Sequence, residues 1–155
     1  MQIELVRHIE TPIGRLKLCA DGDGLCALCF AATGEEMDAA PVLLQAQQEL
    51  EEYFAGRRTA FSVPLSMHGT PFQTEVWAAL RTIPYGETRS YGALAAQIGR
   101  PRACRAVGMA NHVNPLPILV PCHRVLGADG RLTGYAGGLN VKEFLLKLEG
   151  AHVKV

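Results

Sequence analysis

At 155 residues, with 48% hydrophobic and 19% charged side chains, the chain has the make-up of a folded globular protein, with room for one domain or two small ones. Its net charge is zero, yet residues 1–66 hold 5 Lys+Arg against 10 Asp+Glu and residues 67–155 hold the reverse, so the second half is the one suited to meeting a polyanion. No apolar run approaches the ~18 residues of a membrane span, the charged start "MQIELVRHIE" is unlike a secretory leader, and five cysteines, an odd count, suit a reducing compartment; the expectation is a cytoplasmic protein with no membrane partner.

The first 66 residues read as α+β. Short strands are predicted at "IELVRHIE", "IGRLKLCA" and "GLCALCFA", parted by "TP" and by the turn signal "DGDG". "PVLLQAQQELEEYFAG" follows as an amphipathic helix, with Pro41 near its start and Gly56 just past its end. Leu43, Leu44, Gln47, Leu50, Tyr53 and Phe54 recur at helical spacing as its mostly apolar face. "FSVPL" is a further strand candidate. Cys26 and Cys29 in "CALC" have metal-ligand spacing, but no second pair completes four ligands; buried strand thiols are the better reading, and no metal is expected.

The polar stretch "SMHGT" marks a boundary between domains at 1–66 and 67–155. Beyond it the chain turns helical. "TPFQTEVWAALRTI" has Thr70 as N-cap, Pro71 at the first helical position and Glu75 in the first turns, with Phe72, Val76, Trp77, Leu80 and Ile83 on its core face. After the loop "PYGETRS", the short helix "SYGALAAQIG" is capped by Ser90 and stopped by Gly99. "RPRACRAVGMANHV" restarts at once, with Pro101 heading a second helix, and so short a link matches a helix-turn-helix. The second helix carries Ala103, Ala106, Gly108 and Ala110, poor material for a core ridge, among Arg100, Arg102 and Arg105. A tightly packed internal helix with arginines reaching to water would explain this; a low-profile helix for a nucleic-acid groove explains it better once the charge asymmetry is added.

Three prolines in seven residues, Pro115 to Pro121, stiffen "NPLPILVPCHRV" and lead into Cys122 and His123. "VLGADGRLTGYAGGL" reads as a hairpin with "ADG" as its turn, running into a glycine-rich loop. "LNVKEFLLKLEG" closes the chain as an amphipathic helix through Val141, Phe144, Leu145 and Leu148, ending at Gly150. A cysteine attacks as thiolate and needs a base. Adjacency alone does not supply one, because consecutive side chains diverge, so a bridging water or a local bend fits Cys122 and His123 better than a direct bond. Glu149 is the candidate acceptor that would fix the tautomer of His123.

"RAVGMANHVNPLPILVPCHRV" resembles the active-site stretch of the O6-alkylguanine-DNA alkyltransferases, suicide DNA-repair proteins, and "IPYGETRSYGALA" and "GYAGGLNVKEFLLKLEG" resemble the flanking parts in the same order and spacing. The resemblance runs from about Thr70 to Gly150. It implies a ribonuclease-H-like N-terminal α/β domain before a mostly helical winged helix-turn-helix domain. By the same resemblance Cys122 would accept the alkyl group, His123 would activate it through a water, and Glu149 would orient the imidazole. Asn114 would brace the turn below the recognition helix, and Tyr91 would press on the DNA backbone and help neutralise the leaving guanine. Arg105 would fill the space of the flipped nucleotide from a minor-groove helix whose surface includes Arg100, Arg102, Ala106 and Gly108. Val125, Tyr135, Ala136, Gly137, Pro117 and Asn111 would line the guanine pocket. Some relatives carry a hydroxyl residue where Ala136 stands, so contact to the lesion oxygen would fall here to backbone amides or be lost. The zinc site of some members has no counterpart among the N-terminal Cys and His residues, and no cofactor is called for.

The expected fold is therefore α+β in two domains, and the expected function is single-turnover dealkylation of O6-alkylguanine in duplex DNA. The expected state is a monomer, with cooperative assembly on DNA left open. Two rivals predict otherwise: a DNA-binding regulator would bind duplex without losing a titratable thiol, and a cysteine hydrolase would turn over esters or amides.

Overall fold

The computed structural model describes residues 4–151, which form two compact units dividing between Met67 and His68. Among the described residues no helix is long and apolar enough to cross a membrane.

In the first unit, β1 (Leu5–Thr11), β2 (Gly14–Ala20) and β3 (Leu25–Cys29) make an antiparallel meander in the order β1-β2-β3. Asp21 shapes the β2–β3 turn by accepting the N–H groups of Asp23 and Gly24, as an Asx turn does. α1 (Pro41–Phe54) begins with its proline at the first turn. Leu43, Ala46, Leu50 and Tyr53 of α1 are buried together with Leu16, Leu18, Leu25 and Leu28 of the sheet. The apolar face differs from the expected one: Leu44 is 43% exposed, whereas Glu49 is buried. "FSVPL" is not a strand. Only Leu65 bridges to Leu25, because Pro64 has no N–H to give a ladder and offers just its carbonyl to Leu25. The thiols of "CALC" are not buried either. β3 is an edge strand, so Cys29 is exposed at its end, and Cys26, at a shift in register, is half-buried. The other edge is covered, since residues 36–38 run along β1 through His8 N–H to Glu36 O and Asp38 N–H to Val6 O.

In the second unit, α2 (Pro71–Leu80) is closed by a capping box in which Thr70 pairs with Gln73. Val76, Trp77 and Leu80 point inward, and the Trp77 indole donates to Ala110 O. α3 (Tyr91–Gln97) is capped by the Ser90 hydroxyl and ends before Gly99, whose φ of +75° a glycine accepts freely. α4 (Cys104–His112) starts later than expected. Pro101 heads a turn closed by Ala103 N–H to Arg100 O, a position that suits its fixed φ, so Arg100 and Arg102 precede the helix and only Arg105 stands on it.

After a single 3-10 turn at Cys122–Arg124, β5 (Val125–Leu126) pairs in parallel with β4 (Arg89–Ser90). This two-residue ladder ties the chain just past Cys122 to the cap of α3. The expected hairpin contracts to a turn at Asp129–Gly130, with Gly127 N–H on Arg131 O, and residues 132–138 form no strand. α5 (Leu139–Leu148) also buries a different face. Lys142, Leu145 and Leu146 point inward, with Glu149 just past the helix, while Phe144 is 38% exposed and Val141 and Leu148 are half-buried. The buried stripe keeps helical spacing but lies one residue off the apolar pattern, because two of its members are charged groups with partners inside.

Candidate active site

Cys122 opens the 3-10 turn and is only 3% exposed. The chain reaches it through a tight loop built on Asn114, whose Nδ2 donates to Val120 O at 2.8 Å while its Oδ1 accepts Leu116 N–H at 3.0 Å. Within that loop Ile118 is held at φ +76° although it is β-branched and 1% exposed. Such backbone costs on the order of 1–3 kcal/mol and persists only where the surroundings fix it. Asn111 Nδ2 is 3.5 Å from Cys122 O. Burial pushes the Cys122 thiol up to about 11, against hydrogen bonds from Asn114 and Tyr135 and the nearby Lys142 charge. At neutral pH it is a protonated thiol that needs a base.

The neighbouring His123 is fully buried. Its Nε2 lies 2.7 Å from Glu149 Oε2, and among the described residues its Nδ1 has no hydrogen-bond partner. Burial holds the imidazole below its ordinary pKa, although Glu149 pulls the other way. A carboxylate only accepts, so the proton of the neutral ring sits on Nε2 and the basic lone pair sits on Nδ1. The ring is therefore set in one tautomer, with its base unspent.

Glu149, the C-cap of α5, is held in turn. Arg124 grips it with Nε on Oε1 at 2.8 Å and an Nη on Oε2 at 3.0 Å, and spends a further Nη on Ile83 O at 2.7 Å. Gly86 N–H adds a contact to Oε1 at 3.3 Å. Gly86 has φ +81°, and a Cβ there would come within 3.0 Å of Glu149 O, so the close approach requires glycine. The guanidinium also lies 5.8 Å from the centre of the Tyr85 ring.

The helix-turn-helix offers a different surface. Arg105, Ala106, Met109 and His112 are exposed along one side of α4, while Val107, Ala110 and Asn111 face inward. Gly108 turns toward α3, where an added Cβ would meet the Tyr91 ring at 3.9 Å. Arg102 is exposed; Arg100 is exposed but engaged, 3.6 Å from Glu75 and 5.6 Å from the Phe72 ring centre.

Two family models together cover nearly the whole chain: the ribonuclease-like domain of 6-O-methylguanine DNA methyltransferase over residues 5–67, and the DNA binding domain of the same proteins over residues 71–151. The chain belongs to the 6-O-methylguanine DNA methyltransferase family. A methylated-DNA–protein-cysteine methyltransferase of Methanosarcina acetivorans is 50% identical over 149 residues, spanning 92% of this chain and 96% of the relative. The constitutive one of Bacillus subtilis is 49% identical, spanning 90% and 92%. The crystal structure of Mycobacterium tuberculosis O6-methylguanine methyltransferase superposes with a TM-score of 0.86 at 50% identity, over 95% of this chain and 93% of that one. Mycobacterium tuberculosis OGT in complex with DNA gives 0.84 at 52% identity, over 93% and 91%.

The family's two-part architecture, a ribonuclease-like domain followed by a DNA-binding domain, is the architecture of this chain. Cys122, His123, Glu149 and Asn114 come together in one buried cluster, with Val125, Tyr135, Pro117 and Asn111 buried too, Gly137 half-buried and Ala136 exposed. Three participants escaped sequence reasoning. Arg124 stands inside "PCHRV" but was given no task. Thr133 donates to the Tyr91 phenol at 3.2 Å. Lys142 is fully buried, its Nζ on Val125 O at 2.6 Å and Thr133 O at 3.0 Å, and burial brings its ammonium down to about 8. The helical spacing of Lys142 with Leu145, Leu146 and Glu149 is the signal that could have found it. Among the described residues no three His, Cys, Asp or Glu are grouped to hold a metal ion.

Proposed function

We propose that this chain repairs O6-alkylguanine, chiefly O6-methylguanine, in double-stranded DNA by moving the alkyl group irreversibly onto Cys122. The observation that carries the reading is a buried thiol beside a histidine whose Nε2 is committed to Glu149 and whose Nδ1 is left as a base. A lesion on the guanine oxygen lies inside the duplex, so the nucleotide must be extruded at a cost of a few kcal/mol. Arg105, exposed on α4 beside small side chains, fills the gap. Arg102, Ala106 and Gly108 let that helix lie close to the groove, and Arg100 adds charge at its entrance. Tyr91 presses on the backbone and helps neutralise the departing guanine. Val125, Tyr135, Ala136, Gly137, Pro117 and Asn111 receive the base.

His123 takes the thiol proton through a water. The sulfur then attacks the alkyl carbon as the carbon–oxygen bond breaks, and the electron pair leaves with guanine, which is reprotonated. The product is a thioether with no activated carbonyl for water to attack, so one molecule repairs one base. We infer two domains, an acidic one at residues 1–66 and the basic repair domain at 67–155. We read the protein as a cytoplasmic monomer, a reading its five unbridged cysteines support.

Intact-mass analysis after mixing with duplex DNA containing O6-methylguanine tests this. The protein gains one methyl group, mapped to Cys122, and Cys122→Ser gains none; an unchanged mass for the folded protein removes the reading. Arg105→Ala slows repair in duplex DNA far more than reaction with free O6-benzylguanine, because only the duplex demands extrusion. Equal slowing of both reactions would count against Arg105 as the gap-filling residue.

A further inference from the structure

Tyr91 opens α3 with its ring against Gly108 of α4. That packing fixes where the ring lies but not where its hydroxyl points. Among the described residues the phenol has one hydrogen-bond partner, the Thr133 hydroxyl, which donates to it at 3.2 Å. Thr133 is half-buried in a stretch with no strand ladder, yet it is held twice. Its carbonyl accepts Lys142 Nζ at 3.0 Å, and the same ammonium reaches Val125 O, three residues past Cys122. Its methyl group abuts Gly127, where an added Cβ would come within 3.2 Å of Thr133 Cγ2. A β-branched side chain pinned on its methyl arm has its hydroxyl direction set as well.

From these contacts we propose that Thr133 is a positioning residue for the repair reaction: it aims the Tyr91 phenol and couples it, through Lys142, to the backbone that follows Cys122. With Thr133 as the donor, the phenol's own proton points away from it, toward a phosphate or the departing base. The inference rests on the reading that Tyr91 works on the DNA.

The test compares single-turnover methyl transfer from O6-methylguanine duplex DNA by the full-length protein, Thr133→Val, Thr133→Ser, Tyr91→Phe and the Tyr91→Phe/Thr133→Val double variant, with thermal midpoints alongside. Thr133→Val keeps the shape and loses the donor, and is about fivefold slower, the size expected for one neutral hydrogen bond. Thr133→Ser, which keeps the hydroxyl, recovers most of the rate, and the double variant is no slower than Tyr91→Phe alone. Should Thr133→Val fail to fold, Thr133→Ala takes its place. The inference falls if removing the hydroxyl leaves the rate unchanged, if Thr133→Ser is as slow as Thr133→Val, or if Thr133→Val slows Tyr91→Phe further. A normal rate for Tyr91→Phe overturns both this inference and the reading beneath it; a slow Tyr91→Phe beside a normal Thr133→Val overturns this inference alone.

Discussion

Each unit of the molecule buries one glutamate, and the two could hardly differ more in what they hold. Glu49 on α1 is 3% exposed and accepts the N–H groups of Ser62 and Val63, the Ser62 hydroxyl and the Gln45 amide, with Arg58 3.9 Å away. Glu149 is 6% exposed and is gripped by Arg124, Gly86 and His123. Burial and a full set of hydrogen bonds are common to both, so neither property marks function. Glu49 ends in main-chain amides and fastens residues 62–63 to the helix. Glu149 ends in an imidazole whose far nitrogen is unspent and whose neighbour in sequence is a thiol. A buried carboxylate becomes chemical only when one of its partners can itself move a proton.

Neutralising each glutamate should separate the two cases. Glu149→Gln has the largest effect. It strands the Arg124 charge inside the protein, costing about 3–5 kcal/mol of stability, and frees the His123 tautomer, so methyl transfer slows by roughly a hundredfold or more. Chemical denaturation and single-turnover repair of the refolded fraction read the two effects apart; a variant that repairs at the normal rate would reduce Glu149 to the status of Glu49.

The pH dependence of repair comes next in size. The His123 pKa lies below its ordinary 6.5, so the neutral base is present throughout the neutral range and is lost as pH falls through that lowered value. The rate constant should be flat near pH 7 to 8 and then fall about tenfold per unit at acid pH. Stability follows the same sign: a histidine whose folded pKa is depressed favours the folded state above pH 6.5 and ceases to do so as pH falls through its folded value. A rate that rises toward acid would assign the proton transfer elsewhere.

Glu49→Gln has the smallest reach. Burial raises the Glu49 carboxyl, but the hydrogen bonds from Ser62, Gln45 and Val63 together outweigh it and leave the pKa below the usual carboxylate range. The variant loses about 1–3 kcal/mol, as weakening a hydrogen-bonded buried charge does. Thermal denaturation measures that loss, and the repair rate per folded molecule stays as in the wild type. A slowed rate would mean that the first unit acts on the chemistry after all.

Sequence alone was enough wherever a local rule governs the outcome. The three strands of the first unit, the proline-headed α1, the Thr70 and Ser90 caps and the stop at Gly99 follow from side-chain period and from groups that satisfy helix ends within a few residues. The resemblance carried by "PCHRV" and its flanks likewise pointed to Cys122, His123 and Glu149. Tertiary structure decided whatever depends on partners distant in the chain. Only the fold brings the carbonyls of Val125 and Thr133 onto Lys142, and adds Arg124 to His123 as a partner of Glu149. β4 and β5 are two residues each, too short for any periodicity to announce, and exist because they meet each other. A charge is buried only where its compensation has been assembled, and that assembly is a property of the folded chain rather than of any window along it.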